Sequence, residues 1–217
     1  FDPYYSEHGF EGMYIEGTAW QHNWFVPHDV KGLADLFGGE QKLIKKLDET
    51  FETSSELRGE NVSVDISGLI GQYAHGNEPS HHVAYLYTML GEHYKTQQKI
   101  RKILTELYTT GPEDLSGNDD CGQMSAWYIF SALGFYPVDP VSGKYIVGSP
   151  LVEYAEIKLP GNKTFEIRVE NQADEHPYIQ EIRLNGQNIA NRMWISHEEI
   201  LAGGKLEFVM TAKLNWD

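Results

Sequence analysis

Three short polar clusters carry the side chains best suited to chemistry: Glu16 beside Gly17, the pair Asn77-Glu78, and the run Asn118-Asp119-Asp120. Each lies next to glycine and close to aromatic residues, among them Tyr14, Trp20, Trp24, Tyr73 and Trp127. Carboxylates set among exposed rings suit a sugar site, because rings stack on apolar sugar faces while acids handle protons and hydroxyls. Glycosidic cleavage needs one carboxylic acid for the leaving oxygen and one carboxylate for water or for the anomeric carbon. The most concentrated stretch is Ser116 to Pro137, where Met124, Trp127, Tyr128 and Ser131 fall at helical spacing. Gly134 supplies a left-handed stop and Pro137 forbids continuation. Asn118, Asp119 and Asp120 precede this helix, where backbone N–H groups favour negative charge. A cap needs one carboxylate, and two adjacent ones repel, so the pair asks for more than capping.

Other candidates fall to simpler roles. His81 and His82 are adjacent and so point to different sides of a helix, whereas a two-histidine metal site wants i, i+4 spacing. Oxygen ligands from Asn77, Glu78 and the Asp pair suit calcium better than zinc. Cys121 is the only cysteine, which excludes an intrachain disulfide; a small buried apolar role suits it.

The elements that must position these residues fall into two kinds. Thr18 opens a helix that puts Trp20 and Trp24 on one face, and Asp29 caps a helix to Phe37 closed by Gly38-Gly39. An amphipathic helix from Glu40 to Phe51 follows, with Leu43, Ile44, Leu47 and Phe51 on its apolar side. A helix from Ser80 to Leu90 and another from Thr96 to Tyr108 form a hairpin. After Pro140 the hydrophobic period changes to two, predicting strands at 144–148, 154–159, 164–169, 179–184 and 205–211, with an Asn185-Gly186 hairpin turn. The expected fold class is α+β: helical hairpins from part of an (α/α)₆ toroid over 1–139, then an antiparallel β-rich region over 140–217.

Bulk composition narrows the partners. The chain has 217 residues and a net charge of −15, which argues against nucleic acid and anionic membranes, since both need a basic footprint. No apolar run approaches the ~20 residues of a membrane span, and no signal-peptide pattern is present. The chain begins at Phe1 without a methionine, so a targeting segment or much more could have been removed.

Four strings occur in the order seen in glycoside hydrolase family 92: Tyr14-Ile15-Glu16-Gly17-Thr18-Ala19-Trp20-Gln21, Val26-Pro27-His28-Asp29, Gly76-Asn77-Glu78-Pro79-Ser80-His81-His82 and Gly117-Asn118-Asp119-Asp120-Cys121-Gly122-Gln123-Met124-Ser125-Ala126-Trp127. Leu133-Gly134-Phe135-Tyr136-Pro137 and Gly148-Ser149-Pro150 also fit. The chain resembles only the C-terminal portion of that family, whose members are calcium-dependent exo-α-mannosidases. The resemblance implies an inverting hydrolase of mannose-containing glycans, of α-1,2-type, in which an N-terminal β-sandwich packs on an (α/α)₆ barrel. It implies Glu16 as general acid, with Asp119 and Asp120 supplying the base. Asn77, Glu78 and Gln123 are implied as metal or sugar ligands, Glu78 being able to exchange roles with Glu16. Trp20, Trp24, His81 and His82 are the substrate-binding candidates. The cofactor implied is Ca²⁺, the location secreted or periplasmic in a bacterium. A partner domain is expected to be missing, leaving the isolated chain inactive. The competing reading is a non-catalytic, calcium-dependent sugar-binding module.

Overall fold

The computed structural model describes residues 2–6, 13–111 and 114–214. The Gly-and-aromatic stretch at 10–12 lies outside them. The chain divides into two compact units, 1–83 with 105–126, and 84–104 with 127–217. The division does not follow the change of period at 139/140. Segment 84–104 joins the strands through polar side chains that bond backbone there, and 127–139 through backbone bonds from Gly148 and Leu151 to Gly134 and Ala132 and through Phe135 in the shared core. Within that unit Arg101 donates to the carbonyls of Pro150 (2.7 Å) and Ala173 (2.6 Å). Gln97 Oε1 accepts from the Ile179 N–H at 3.1 Å.

The first unit begins with the single-turn helix α1 (Ala19–His22), opened by a capping box in which Thr18 and Gln21 satisfy each other's backbone N–H groups. Helix α2 (Val30–Phe37) is capped by Asp29 and closed by Gly38 at φ 86°, where a side chain would strain the left-handed turn. Helix α3 (Glu40–Glu52) buries Leu43, Ile44, Leu47 and Phe51, the stripe its 3.6-residue spacing predicts. A short antiparallel hairpin, β1 (Leu69–Ile70) with β2 (Tyr73–Ala74), follows.

The continuous helix expected from Ser80 to Leu90 is not formed. The chain instead makes 3₁₀ turns at Glu78–Ser80 and Val83–Tyr85 and one α-turn, α4 (Leu86–Met89). Every residue from Ser80 to Thr88 is buried, so the segment has no solvent face to impose one helical stripe, and its polar side chains dictate the path. Helix α5 (His93–Glu106) follows, and α6 (Gln123–Leu133) occupies the position read from the Met124–Ser131 spacing.

In the second unit, β3 (Phe135–Tyr136), β4 (Lys144–Val147) and β9 (Trp194–Ser196) form an antiparallel sheet in the order β3-β4-β9. Strands β5 (Tyr154–Leu159), β6 (Lys163–Glu170), β7 (Tyr178–Leu184), β8 (Gln187–Asn188) and β10 (Gly204–Thr211) form a second sheet in the order β5-β6-β10-β7-β8. Its pairs are antiparallel except β6–β10, which is parallel. The short helix α7 (His197–Ala202) feeds β10 in between β6 and β7. Alternate residues Phe165, Ile167, Ile182, Leu184, Leu206 and Phe208 join Phe135, Val147 and Ile195 in one core, which the period-two alternation requires.

Candidate active site

Unit one brings the three acidic clusters together. The first is held by its backbone. Glu16 sits at φ 54°, a left-handed conformation that costs a non-glycine residue about 1 kcal/mol or more. Asn77 Nδ2 donates to the Glu16 carbonyl (3.1 Å) and to its Oε2 (3.3 Å). His22 Nε2 lies 3.0 Å from the Ile15 carbonyl, and its ring stacks on Tyr14. Gly17 leaves room for that ring, since a Cβ there would meet His22 at 2.7 Å.

The second cluster rides on the turn after Gly76, where Asn77 Oδ1 accepts the Glu78 N–H at 3.1 Å. The third approaches it through glycines. A Cβ on Gly117 would collide with the Gly76 carbonyl, and one on Gly76 would meet the Ser116 carbonyl at 2.8 Å. Two loops distant in sequence therefore cross at backbone contact.

Beyond that crossing the two aspartates separate in role. Asp119 Oδ1 accepts the Ser125 N–H at 2.9 Å and so caps α6. Asp120, Cys121 and Gly122 then run left-handed, at φ 45°, 58° and 90°. Among the described residues, the non-glycine ones with such backbone are Glu16, Asp120, Cys121, Asn162, Asn171, Asn185 and Met193. Asparagine tolerates the conformation; of the other four, Glu16 and Asp120 belong to the acidic clusters and Cys121 adjoins one, and strained backbone of this kind gathers at functional sites. The Asp120 carboxyl hydrogen-bonds Glu78, and the Glu16 charge also reaches it. Burial, then Asp120, then Glu16 raise the Glu78 carboxyl above its ordinary value of 4.5, against the lowering effect of its own N–H. Glu16, Asn77, Glu78 and Asp120 thus converge, with Asp119 at the adjoining helix entrance.

The expected substrate platform is corrected. Trp20 and Trp24 are 6% and 1% exposed, so neither offers a face to sugar. Trp24 stacks on Phe37, and Trp20 lies under the Lys46 ammonium; both rings are needed to fill the unit's interior. His81 and His82 are likewise buried, at 2% and 5% exposed. His81 Nε2 bonds the His75 carbonyl at 3.0 Å and His82 Nε2 the Trp24 carbonyl at 2.7 Å. Burial holds the His81 imidazole down to about 4, outweighing its bond to that carbonyl. Burial lowers His82 as well. Gln123 Nε2 reaches His81 Nδ1 at 3.2 Å. Cys121 is exposed rather than buried. His75 and Tyr108 went unread in the sequence, and Tyr73 entered only as a ring near the acidic clusters; both tyrosines bond His75, and a lone histidine between aromatic residues has no spacing signature.

The profile of the glycosyl hydrolase family 92 catalytic domain matches residues 1–212. The chain belongs to glycosyl hydrolase family 92. A family 92 α-mannosidase of Bacteroides thetaiotaomicron, solved with mannoimidazole, is 42% identical with a TM-score of 0.90, covering 99% of this chain and 28% of its own. A family 92 inverting mannosidase from the same species is 37% identical with a TM-score of 0.82, covering 98% and 29%. A secreted glycosidase of Arthroderma benhamiae, described as uncharacterized, is 31% identical over 198 residues, 90% of this chain and 23% of its own length. The family 92 chain here therefore spans well under a third of these relatives.

Proposed function

We propose that this chain carries the catalytic carboxylates of an inverting α-mannosidase, with Glu78 as general acid and Asp119 as base. The observation that supports this most is the raised carboxyl of Glu78, pressed by burial, Asp120 and Glu16 toward its protonated form. A shift toward the protonated form is in the direction that departure of a sugar oxygen requires. Of the two glutamates able to exchange roles, Glu78 therefore suits the acid better than Glu16. Asp120 touches Glu78, whereas an inverting pair stands roughly 6.5–9.5 Å apart to admit a water. Asp120 accordingly serves to hold the acid's proton, and the base falls to Asp119, whose Oδ1 is fixed on the Ser125 N–H, leaving the second oxygen to take a proton from water.

The donor set suits a hard cation in type: Glu16 and Asp120 both bear on Glu78 and calcium prefers oxygen, while Asn77, whose Nδ2 faces Glu16 here, would have to turn its amide over to join them. Among the described residues no three His, Cys, Asp or Glu side chains stand in ligating arrangement, so the remainder of the ~6–8 oxygens would come from water, sugar or other parts of the protein. A cation bound directly to Glu78 would draw off its proton, which is why we assign the cation to Glu16, Asn77 and Asp120. When bound, calcium would supply charge that holds vicinal sugar hydroxyls. α-1,2-Mannosides are the substrate class we propose, and secretion follows the Arthroderma relative. On its own the chain is expected to turn over poorly, because a site built by less than a third of its relatives' length is incompletely walled.

The test is proton NMR of the first sugar released from an α-mannoside. Initial β-mannose supports the reading; initial α-mannose, or no release by the full-length protein, overturns it.

A further inference from the structure

Two histidines bracket the turn that carries Asn77 and Glu78, and both lead to the first turn of α6. His75 is fully buried and His81 nearly so. Tyr73 OH and His75 Nδ1 lie 2.8 Å apart, His75 Nε2 and Tyr108 OH 2.6 Å. Tyr108 OH donates onward to the Met124 carbonyl at 3.2 Å. With that hydrogen committed, Tyr108 oxygen accepts from His75 Nε2, and His75 Nδ1 accepts from Tyr73. His81 Nε2 donates to the His75 carbonyl, which can only accept, leaving Nδ1 to receive the Gln123 amide. The donors and acceptors agree in one arrangement of protons.

We propose that the buried pair His75 and His81 positions Glu78 against Asp120, by tying both ends of the Gly76–Ser80 turn to the start of helix α6. The Asp120–Gly122 segment needs such support. Its three consecutive left-handed residues are closed locally by the Gln123 N–H on the Asp120 carbonyl, the Met124 N–H on that of Asp119, the Ala126 N–H on that of Gly122 and the Ser125 N–H on Asp119 Oδ1. A buried polar network is retained at a cost in desolvation and specifies one arrangement when fully satisfied. Its two outer links end on Met124 and Gln123, directly after the acidic run, which a network serving only the core would have no reason to do. The inference rests on the reading of Glu78 as acid for its catalytic consequence, though its geometric content does not.

The experiment combines hydrogen exchange of segments 76–80 and 120–126 with kcat and KM on an aryl α-mannoside, in the full-length protein. His81→Leu is expected to speed exchange in both segments together by about tenfold and to lower kcat about tenfold, with KM nearly unchanged. His81→Gln keeps a donor and an acceptor and should recover most of both. Leu43→Ala, a core loss in α3 with no link to the network, should lower stability yet leave exchange in these segments and kcat near wild type. If His81→Leu does not fold, Tyr108→Phe removes one hydroxyl and should move the same readouts in the same direction. Unchanged exchange in both variants, or an equal kcat loss in Leu43→Ala, overturns the proposal. A wild-type protein without mannosidase turnover would sink the functional reading instead, and the exchange data would still decide this one.

Discussion

Glu78 carries a conflict that can be measured. Its folded carboxyl is raised by burial and by the neighbouring Asp120 and Glu16, so its protonated form is the one the fold prefers. The linked stability is present in full below the ordinary value of 4.5 and is lost as pH rises through the raised value. Above it, an ionised Glu78 is repelled by its neighbours. Glu78→Gln should therefore stabilise the protein at pH 7 by under ~1 kcal/mol, since the group is largely solvent-screened. The gain should vanish below pH 4.5; thermal melts at pH 7 and pH 4 would show it. Turnover should move the other way, falling about 10²–10⁴-fold on a poor leaving group and much less on a dinitrophenyl mannoside, which needs no proton. Asp119 separates its two roles by the same logic. Asparagine caps a helix as well as aspartate does, whereas alanine costs ~1 kcal/mol. Asp119→Asn should thus keep the melting temperature and lose turnover, while Asp119→Ala loses both. If Asp120→Asn alone abolishes turnover at full substrate affinity, the base has been assigned to the wrong aspartate.

At the scale of elements, the site is made by loops that cross rather than by helices that pack. Gly76 and Gly117 pass at backbone contact, and that crossing sets Asp120 beside Glu78. Gly117→Ala would place a methyl against the Gly76 carbonyl, costing about 1–3 kcal/mol by overpacking. It should also return the Glu78 carboxyl toward 4.5 as Asp120 withdraws, which a pH titration of the labelled carboxyl would detect. Legibility in the sequence follows from the same distinction. Helices α2 and α3 and strands β5–β7 and β10 were readable because each has one wet face, which prints a period of 3.6 or 2 on the chain. The run Ser80–Thr88 has no wet face, so its residue types fit a helix while its hydrogen bonds chose turns. The β6–β10 pairing direction was hidden because alternation reports burial, never which neighbour a strand takes. The carboxylates were legible as a set, but which aspartate caps and which meets Glu78 depended on the left-handed run at 120–122, and only glycine announces such backbone in advance. Trp20 and Trp24 misled because a tryptophan near an acid reads alike whether it lines a cleft or fills a core.

For the whole molecule, the net charge of −15 sets the background against which the acidic cluster must fold. Long-range repulsion of that kind is screened within about 8–10 Å at physiological salt, so any monovalent electrolyte relieves it. The local repulsion among Glu16, Glu78 and Asp120 is closer than that and calls for a bound charge. The two contributions can therefore be separated by ion type. Sodium chloride should raise the melting temperature gradually and equally in the wild type and in Glu16→Gln. Calcium at matched ionic strength should add a saturable increment, reaching about 2.7 kcal/mol at a hundred times its dissociation constant if it binds only the folded state. That increment should be lost in Glu16→Gln and Asp120→Asn, restored to baseline by a chelator, and poorly reproduced by magnesium, which keeps its own waters. The isolated chain should show a smaller calcium response than the full-length protein, because fewer of the ligands are its own. Melts that respond to calcium no more than to sodium in the full-length protein would remove the cation from this site and leave the three carboxylates to share a proton instead.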